Sequence, residues 1–274
     1  MIYLPDDIFR LIHEFYPIDV LLFMSNRFFH KMKGRLYYYK FRKKYSLLYY
    51  TSDVFRTHVN KRISNISRQL LLNLSRCEKI TDVNVLGGVH TLILSWCENI
   101  TDVSALGCVH KLDLFWCKNI TDVNALGDVH TLHLSWCENI TDVSALRNVH
   151  TLILSGCINI TNVNNLGNVH TLILSGCSNI SDVRALGNVH TLHLSCCQNI
   201  KDVSFLGNVH TLNLSGCNNI TDVSALGNVN TLILSGCKNI SDVSALGNVY
   251  MLDISHCKNI TNRNVLINVN KIIL

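Results

Sequence analysis

The 274-residue chain contains no apolar run approaching the roughly 18–20 residues that a membrane-spanning helix needs. Its first residues, MIYLPDDIFRLIHEF, place Asp6, Asp7, Arg10 and Glu14 where a signal peptide requires an uninterrupted apolar core. These two absences predict a soluble protein kept inside the cell, cytoplasmic or nuclear, with no membrane association. Cys-x-x-Cys pairs, a P-loop and a glycine-rich dinucleotide turn are also missing, and no nucleophile stands beside a base in the sequence. The reading is therefore a non-enzymatic chain with no cofactor and no metal site.

Aromatic residues are scarce over most of the chain. Seven of nine Phe and eight of nine Tyr precede residue 56. Charge divides in the same way: residues 1–70 carry 13 Lys/Arg against 5 Asp/Glu, and residues 71–274 carry 11 against 14. These values, +8 and −3, sum to the formal +5 of the whole chain. Two segments of different chemistry meet near residue 70.

What fills the second segment is a period of 20 residues without insertion. Ile recurs from Ile80 to Ile260, Leu from Leu86 to Leu266, Val from Val89 to Val269 and Cys from Cys77 to Cys257. A fixed period of this length is the signature of stacked supersecondary units, a solenoid. Within VHTLILSGCSNISDVRAL (residues 169–186), Leu172 and Leu174 alternate with polar neighbours, as in a strand with one buried face. Ser181 to Gly187 then opens on a hydroxyl and closes on glycine, which fits one helical or 3₁₀ turn. Each coil is read as a strand, a bend, a tight turn and a return, with strands centred on 72–74, 92–94 and onward to 272–274.

The pattern V-x-x-L-x-L-x-x-C-x-x-I-x-x-V-x-x-L resembles a leucine-rich repeat of the short-turn class, and the resemblance covers residues 60–274. It implies an α/β leucine-rich-repeat solenoid with one parallel sheet and a convex side of 3₁₀ or short turns, in about ten repeats. An irregular first coil is expected from Ile63, Ile66, Leu72 and Leu74, with Gln69 in the place of Val.

Three recurring columns look chemical and have structural explanations. The Cys column lies along a line, so each thiol is read as an apolar plug in its bend rather than a metal ligand or a disulfide partner. Seven histidines, from His90 to His210, form a second ladder whose spacing could hold a soft metal or sense pH. Asn230, Tyr250 and Asn270 take the same place, which favours a structural role. The Asp column from Asp82 to Asp242 falls in the first residues of each turn, where a carboxylate accepts backbone N–H groups.

Recognition is expected where the columns drift. The outward position in mid-strand reads Asn73, Ile93, Asp113, His133, Ile153, Ile173, His193, Asn213, Ile233, Asp253, Ile273. A second drifting column holds all three tryptophans, Trp96, Trp116 and Trp136, with Phe115 and the charges of Glu98, Lys118 and Glu138 close by. Tryptophan buries a large rigid area and is enriched at binding hot spots. The residues expected to bind a target protein are therefore Ile93, Trp96, Asp113, Phe115, Trp116, His133, Trp136, Ile153, Ile173 and His193.

Ahead of the repeats, YLPDDIFRLIHEFYPIDVLLFMSNRFFHKM puts Leu4, Ile8, Leu11, Ile12 and Phe15 on one helical face after Pro5, and Pro17 ends that helix. The Leu-Pro-x-Asp opening, the Asp-Val-Leu run and the Ser-x-Arg-Phe segment resemble an F-box, with Phe28 or Phe29 in the place of the usual Trp. F-box and leucine-rich repeats together resemble substrate receptors of Skp–cullin–F-box ubiquitin ligases. That resemblance implies a Skp-type adaptor and a cullin as partners, the adaptor facing Leu4, Pro5, Ile8 and Ile12, with the target protein on the repeats. The alternative is a protein-interaction scaffold with no ubiquitin role, whose N-terminal helices only cap the solenoid.

The domains expected are 1–48, F-box-like and helical; 49–70, a helical or irregular linker and cap; and 71–274, the solenoid. Lys31–Tyr50 mixes basic and aromatic residues without a nucleic-acid motif, so a solvated basic face over inward Tyr and Phe is expected, with no nucleic-acid partner. The last residues, NVNKIIL, form an edge strand that offers a route to self-association.

Overall fold

The computed structural model describes residues 38–64 and 69–274. Leu4, Pro5, Ile8, Ile12 and Ile66 lie outside the described residues. The described residues build one twelve-stranded parallel sheet in which every strand pairs with its neighbours in sequence. The strands are β1 (Tyr38–Lys40), β2 (Gln69–Asn73), β3 (Thr91–Ile93), β4 (Lys111–Asp113), β5 (Thr131–His133), β6 (Thr151–Ile153), β7 (Thr171–Ile173), β8 (Thr191–His193), β9 (Thr211–Asn213), β10 (Thr231–Ile233), β11 (Met251–Asp253) and β12 (Lys271–Ile273). From β2 onward the register advances by 20 residues per strand, Leu92 against Leu112 against Leu132.

Opposite the sheet, each coil makes a short 3₁₀ turn, as at Ser104–Leu106 and Asn124–Leu126, or a longer one, as at Ser144–Asn148. The turn forms because Asp102 Oδ1 accepts the Ser104 N–H at 2.8 Å, a bond repeated by Asp122, Asp142, Asp202, Asp222 and Asp242. Asn162 makes the same bond to the Asn164 N–H at 2.9 Å. Between strand and turn, Asn119 Nδ2 donates to the Glu98 carbonyl at 2.9 Å, and equivalent asparagines tie other coils to the coil before.

The fixed letters of the repeat are the core. Leu92, Leu94, Cys97, Ile100, Val103, Leu106 and Val109 are buried to within 1 % of full burial, and the same positions repeat along the solenoid. Each fully buried aliphatic side chain contributes roughly 1.5–3 kcal/mol, but a single coil has nothing to bury against, so the coils hold only as a stack. Each buried thiol is more than a plug: Cys117 Sγ–H donates to the Leu94 carbonyl at 3.2 Å, and Cys97 through Cys257 repeat the contact. Burial pushes the thiols of Cys117, Cys157, Cys177, Cys197, Cys217 and Cys237 up to about 12.

Several expectations need correction. The strands sit one residue earlier than 92–94, because residue 95 already begins the bend; only single bonds, such as Leu94 N–H to the Asp113 carbonyl at 2.8 Å, continue the pairing. Of the irregular first coil, Leu72 and Leu74 are buried in register with Leu92 and Leu94, while Ile63 lies in a helix; α1 (Lys43–Thr51) and α2 (Asp53–Ser64) precede β2. Tyr38–Lys40, inside the segment read as helical, pairs with β2 and begins the sheet. The glycine closing each turn does not adopt a left-handed cap: Gly127 has φ −61° and ψ −23°. A Cβ there would lie 2.6 Å from the Ala145 carbonyl oxygen, whereas Arg147 occupies the same column one coil on.

The inward Tyr reading holds on α1, where Tyr45 and Tyr49 are buried while Lys43 and Lys44 are exposed. Tyr49 Oη donates to Asn60 Oδ1 at 2.7 Å, and Ser46 Oγ accepts the Asn73 N–H of β2 at 3.1 Å. These helices cover the first coil. At the other end Ile272, Leu274 and Ile267 are exposed.

Candidate functional site

The residues expected to bind a target come together on one continuous patch. Ile93, Asp113, His133, Ile153, Ile173 and His193 are direct partners across β3 to β8 and stand half-buried in one line. Beside this line, just past the strand ends, runs the tryptophan row. The rings of Trp96 and Trp116 stack at 4.7 Å, and those of Trp116 and Trp136 follow at 5.5 Å with a 43° tilt. Phe115 bridges the two lines, 5.6 Å from Trp96 and 5.4 Å from the His133 ring.

The row depends on an unusual backbone. Trp96, Trp116 and Trp136 have φ of 65°, 61° and 63°, and Gly156, Gly176, Gly216 and Gly236 occupy the same column with φ of 70–75°. A left-handed non-glycine residue costs about 1–2 kcal/mol, and each aromatic pair returns about 0.5–1.5 kcal/mol. The left-handed turn belongs to the column itself, since Arg76, Cys196 and His256 share it at φ 58–61°, and at the tryptophans stacking offsets part of the strain. The sequence held the signal, four glycines in the tryptophan column, but a drifting column was read for its side chains rather than its backbone.

Cations complete the row. The Arg76 guanidinium lies 5.7 Å from the Trp96 ring centre, and Lys118 Nζ lies 4.1 Å from that of Trp116. Lys118 also reaches Glu138 at 3.4 Å, so its charge is shared between a carboxylate and a π-face. Trp136 is the most open member, 43 % exposed.

Asp113, His133 and Ser135 form an arrangement that sequence order hides. Asp113 Oδ1 lies 3.4 Å from His133 Nδ1, and His133 Nε2 lies 2.9 Å from Ser135 Oγ. Burial works to raise the Asp113 pKa, but the contact with His133 and the Phe115 N–H outweigh it, and the carboxyl lies below its ordinary value. The order is that of a hydrolytic triad, so the expectation that no nucleophile stands near a base is corrected in space. Attack also needs an accessible hydroxyl and free donors for an oxyanion. Ser135 is 3 % exposed, the Trp136 N–H is bonded to the Ser155 carbonyl, and the Cys137 N–H is bonded to that of Leu134. The same pairing recurs where Asn73, Asn213 and Asp253 accept the hydroxyl of the serine two residues on, so His133 fills a structural place.

The remaining ladders divide between inert and exposed. Among the described residues no group of three or more His, Cys, Asp or Glu side chains is arranged to hold a metal ion. The imidazoles from His130 to His210 stack at 4.6–4.7 Å with planes within about 10° of parallel. No described helix is long and apolar enough to cross a membrane.

Comparison with known proteins agrees with this geometry. The family described as leucine-rich repeat matches residues 208–227, one full period of the chain. An internalin (inlF) from Listeria monocytogenes is 21 % identical over 77 % of this chain and 75 % of its own, with a TM-score of 0.52. The fold is a leucine-rich-repeat solenoid. Two further structures are similar at lower TM-scores. Internalin C2 from Listeria monocytogenes is 25 % identical over 54 % of this chain and 72 % of its own, TM-score 0.39. A leucine-rich-repeat protein of Leptospira interrogans is 15 % identical over 80 % and 87 %, TM-score 0.35. No curated protein sequence matches the chain.

Proposed function

We propose that this leucine-rich-repeat chain is a non-enzymatic protein-binding scaffold whose partner sits on the patch from Trp96 to His193. One observation carries the reading. The strained tryptophan row ends in the exposed Trp136 indole, next to the half-buried Asp113–His133 pair and the Ile153 and Ile173 side chains. A rigid aromatic anchor beside a charge pair and an apolar strip has the composition of an interface core. The acidic balance of residues 71–274 favours protein over nucleic acid, since phosphate binding rests on Lys and Arg. The test is affinity capture with the full chain and with Trp116→Ala/Trp136→Ala, each checked for folding by circular dichroism. A partner held by the native patch and lost in the variant supports the proposal. An identical protein set from both removes this patch as the site.

The finer reading makes the scaffold an intracellular substrate receptor of a Skp–cullin–F-box ubiquitin ligase, with domains at 1–48, 49–70 and 71–274. It rests on the Leu4-Pro5-Asp6-Asp7 opening and the Ser25-Asn26-Arg27-Phe28 segment. Co-purification of a Skp-type adaptor and cullin with the native chain, and their loss in Pro5→Ala/Ile8→Asp, supports it. Absence of the adaptor from both samples leaves the scaffold reading alone.

A further inference from the structure

Two rows of ionisable groups run along the solenoid on different sides of each coil, His90 to His210 and Asp82 to Asp242, the second interrupted at Asn162. The histidine row stands on the return, where the chain re-enters the sheet. Five of its members, His130, His150, His170, His190 and His210, are exposed. Nδ1 of these rings lies 3.2–3.3 Å from the following threonine hydroxyl, which holds the rings in line. The aspartate row stands on the opposite connection, where the chain leaves the sheet for the 3₁₀ turn. Asp102, Asp122 and Asp142 are exposed and accept the turn N–H through Oδ1. Both rows advance one position per coil. The imidazoles are spaced at 4.6–4.7 Å, and from Asp102 to Asp142 the acidic row supplies one carboxylate for each coil.

We propose that the histidine row of one copy docks in register on the aspartate row of a second copy at acid pH, so that solenoids associate side by side. The partner surface carries one carboxylate per coil from Asp102 to Asp142, as the histidine row carries one imidazole per coil, and its charge is opposite once the imidazoles are protonated. The groups within three residues of the histidine row are Cys108, Lys111, Asp113, Asp128, His133, Arg147 and His193. Their two fixed cations and two carboxylates cancel, so protonation of the row itself sets the sign of that edge. Within three residues of the aspartate row stand Lys79, Arg184 and Lys201, and Arg184 is already paired with Asp182. The stretch from Asp102 to Asp142 has no cation at that range.

The two titrations leave a window. Partial burial and the charge of neighbouring rings hold His150 and His190 below the usual histidine value. Hydrogen bonds from the turn hold Asp102 and Asp142 below the usual carboxylate value. Below the ordinary histidine value His150 and His190 gain protons while Asp102 and Asp142, held below the ordinary carboxylate value, remain ionised. Above it the imidazoles of His150 and His190 carry no charge to attract the acidic row. Because the contact joins two different surfaces, it is open-ended and builds lateral chains rather than a closed dimer.

The experiment is sedimentation velocity of the full chain at about pH 7.5 and pH 5, at low salt and at about 0.5 M NaCl. Concentration-dependent association at the acid pH, reversed by salt and by neutralisation, is expected. Two variants isolate the rows: His130→Asn/His150→Asn/His170→Asn, which copies the native Asn230, and Asp102→Asn/Asp122→Asn/Asp142→Asn, which copies Asn162. Each variant alone should lose most of the association, and an equimolar mixture should recover pairs, because each supplies the row the other lacks. Circular dichroism confirms that both are folded. A monomer at both pH values, or acid association that persists in both variants, as it would through the open edge of β12, overturns the proposal.

Discussion

The face of the Trp136 indole rests on Gly156, whose absent Cβ would lie 2.8 Å from Cδ2 and 3.0 Å from Cε2 and Cε3. Gly156 is thus held to glycine twice, by φ +73° and by the ring above it. Gly176, one coil further, shares the backbone (φ +75°), but a Cβ there meets nothing closer than 3.8 Å. The aromatic row therefore needs a bare coil on which to end, and the proposed binding patch is shaped as much by that missing side chain as by the tryptophans.

This pair separates strain from contact. Gly176→Ala should cost only the left-handed conformation, about 1–2 kcal/mol. Gly156→Ala should cost that plus displacement of the indole, about 2–4 kcal/mol in total, and should shift the Trp136 fluorescence. Chemical denaturation of both variants measures the difference. Equal losses would mean that Trp136 does not rest on Gly156 in solution.

The thiols divide by burial. Cys108 and Cys196 are exposed, Cys77 is intermediate and nine others are buried. Burial raises the thiol pKa along the ladder, so those sulfurs stay protonated and unreactive. A thiol reagent at pH 8 should modify Cys108 and Cys196 quickly and Cys77 more slowly, and should reach the remaining nine only on unfolding. Cys177→Ala, which removes the bond to the Leu154 carbonyl at 3.1 Å, should destabilise by about 1–2 kcal/mol. Rapid native modification of Cys177 would contradict the packing.

Acid should weaken the fold in two steps. His90, His150 and His190 have lowered folded values, burial being the larger cause and neighbouring cations the smaller. Their contribution is fully present above the unfolded value near pH 6.5 and is lost as pH falls through the folded one. Asp102, Asp142 and Asp222 are also lowered, through hydrogen bonds from the turn, and Asp182 lies at about 2 beside Arg184. Their contribution is present above the ordinary carboxylate value and is lost only below it. Denaturation midpoints measured from pH 7.5 to 3 should therefore show a shallow fall below about pH 6.5 and a steeper one below about pH 4. His150→Asn/His190→Asn should flatten the first fall and leave the second.

How far the fold could be read in advance follows from what a period records. The 20-residue repeat is a comparison of the chain with itself, and it located the core columns, the turns and the line from Ile93 to His193. Features that occur once leave no such trace. The strand Tyr38–Lys40 hides in a basic, aromatic segment with no alternation, and only its pairing with Gln69–Leu71 makes it a strand. The stacking of the tryptophan rings and the approach of Asp113 to His133 depend on what the next coil places alongside, about 20 residues away in sequence. Repetition makes the scaffold legible, and the departures from repetition, where recognition is proposed, become legible only in space.

Ser135 gives the sharpest test of such a departure. It is buried, and its hydroxyl is served by His133 Nε2 at 2.9 Å. Asn73 and Asn213 serve Ser75 and Ser215 through Oδ1 at 2.8 and 2.7 Å. His133→Asn should therefore preserve stability within about 0.5 kcal/mol, since the replacement copies an arrangement the chain already uses. His133→Leu leaves a buried hydroxyl without that partner and should cost about 1–3 kcal/mol. A fluorophosphonate reagent should leave Ser135 unlabelled in the native chain, because the hydroxyl is covered and the neighbouring backbone donors are committed. Native labelling at Ser135, read by mass spectrometry and abolished by His133→Asn, would turn the structural pairing into a reactive one and reopen the question of catalysis.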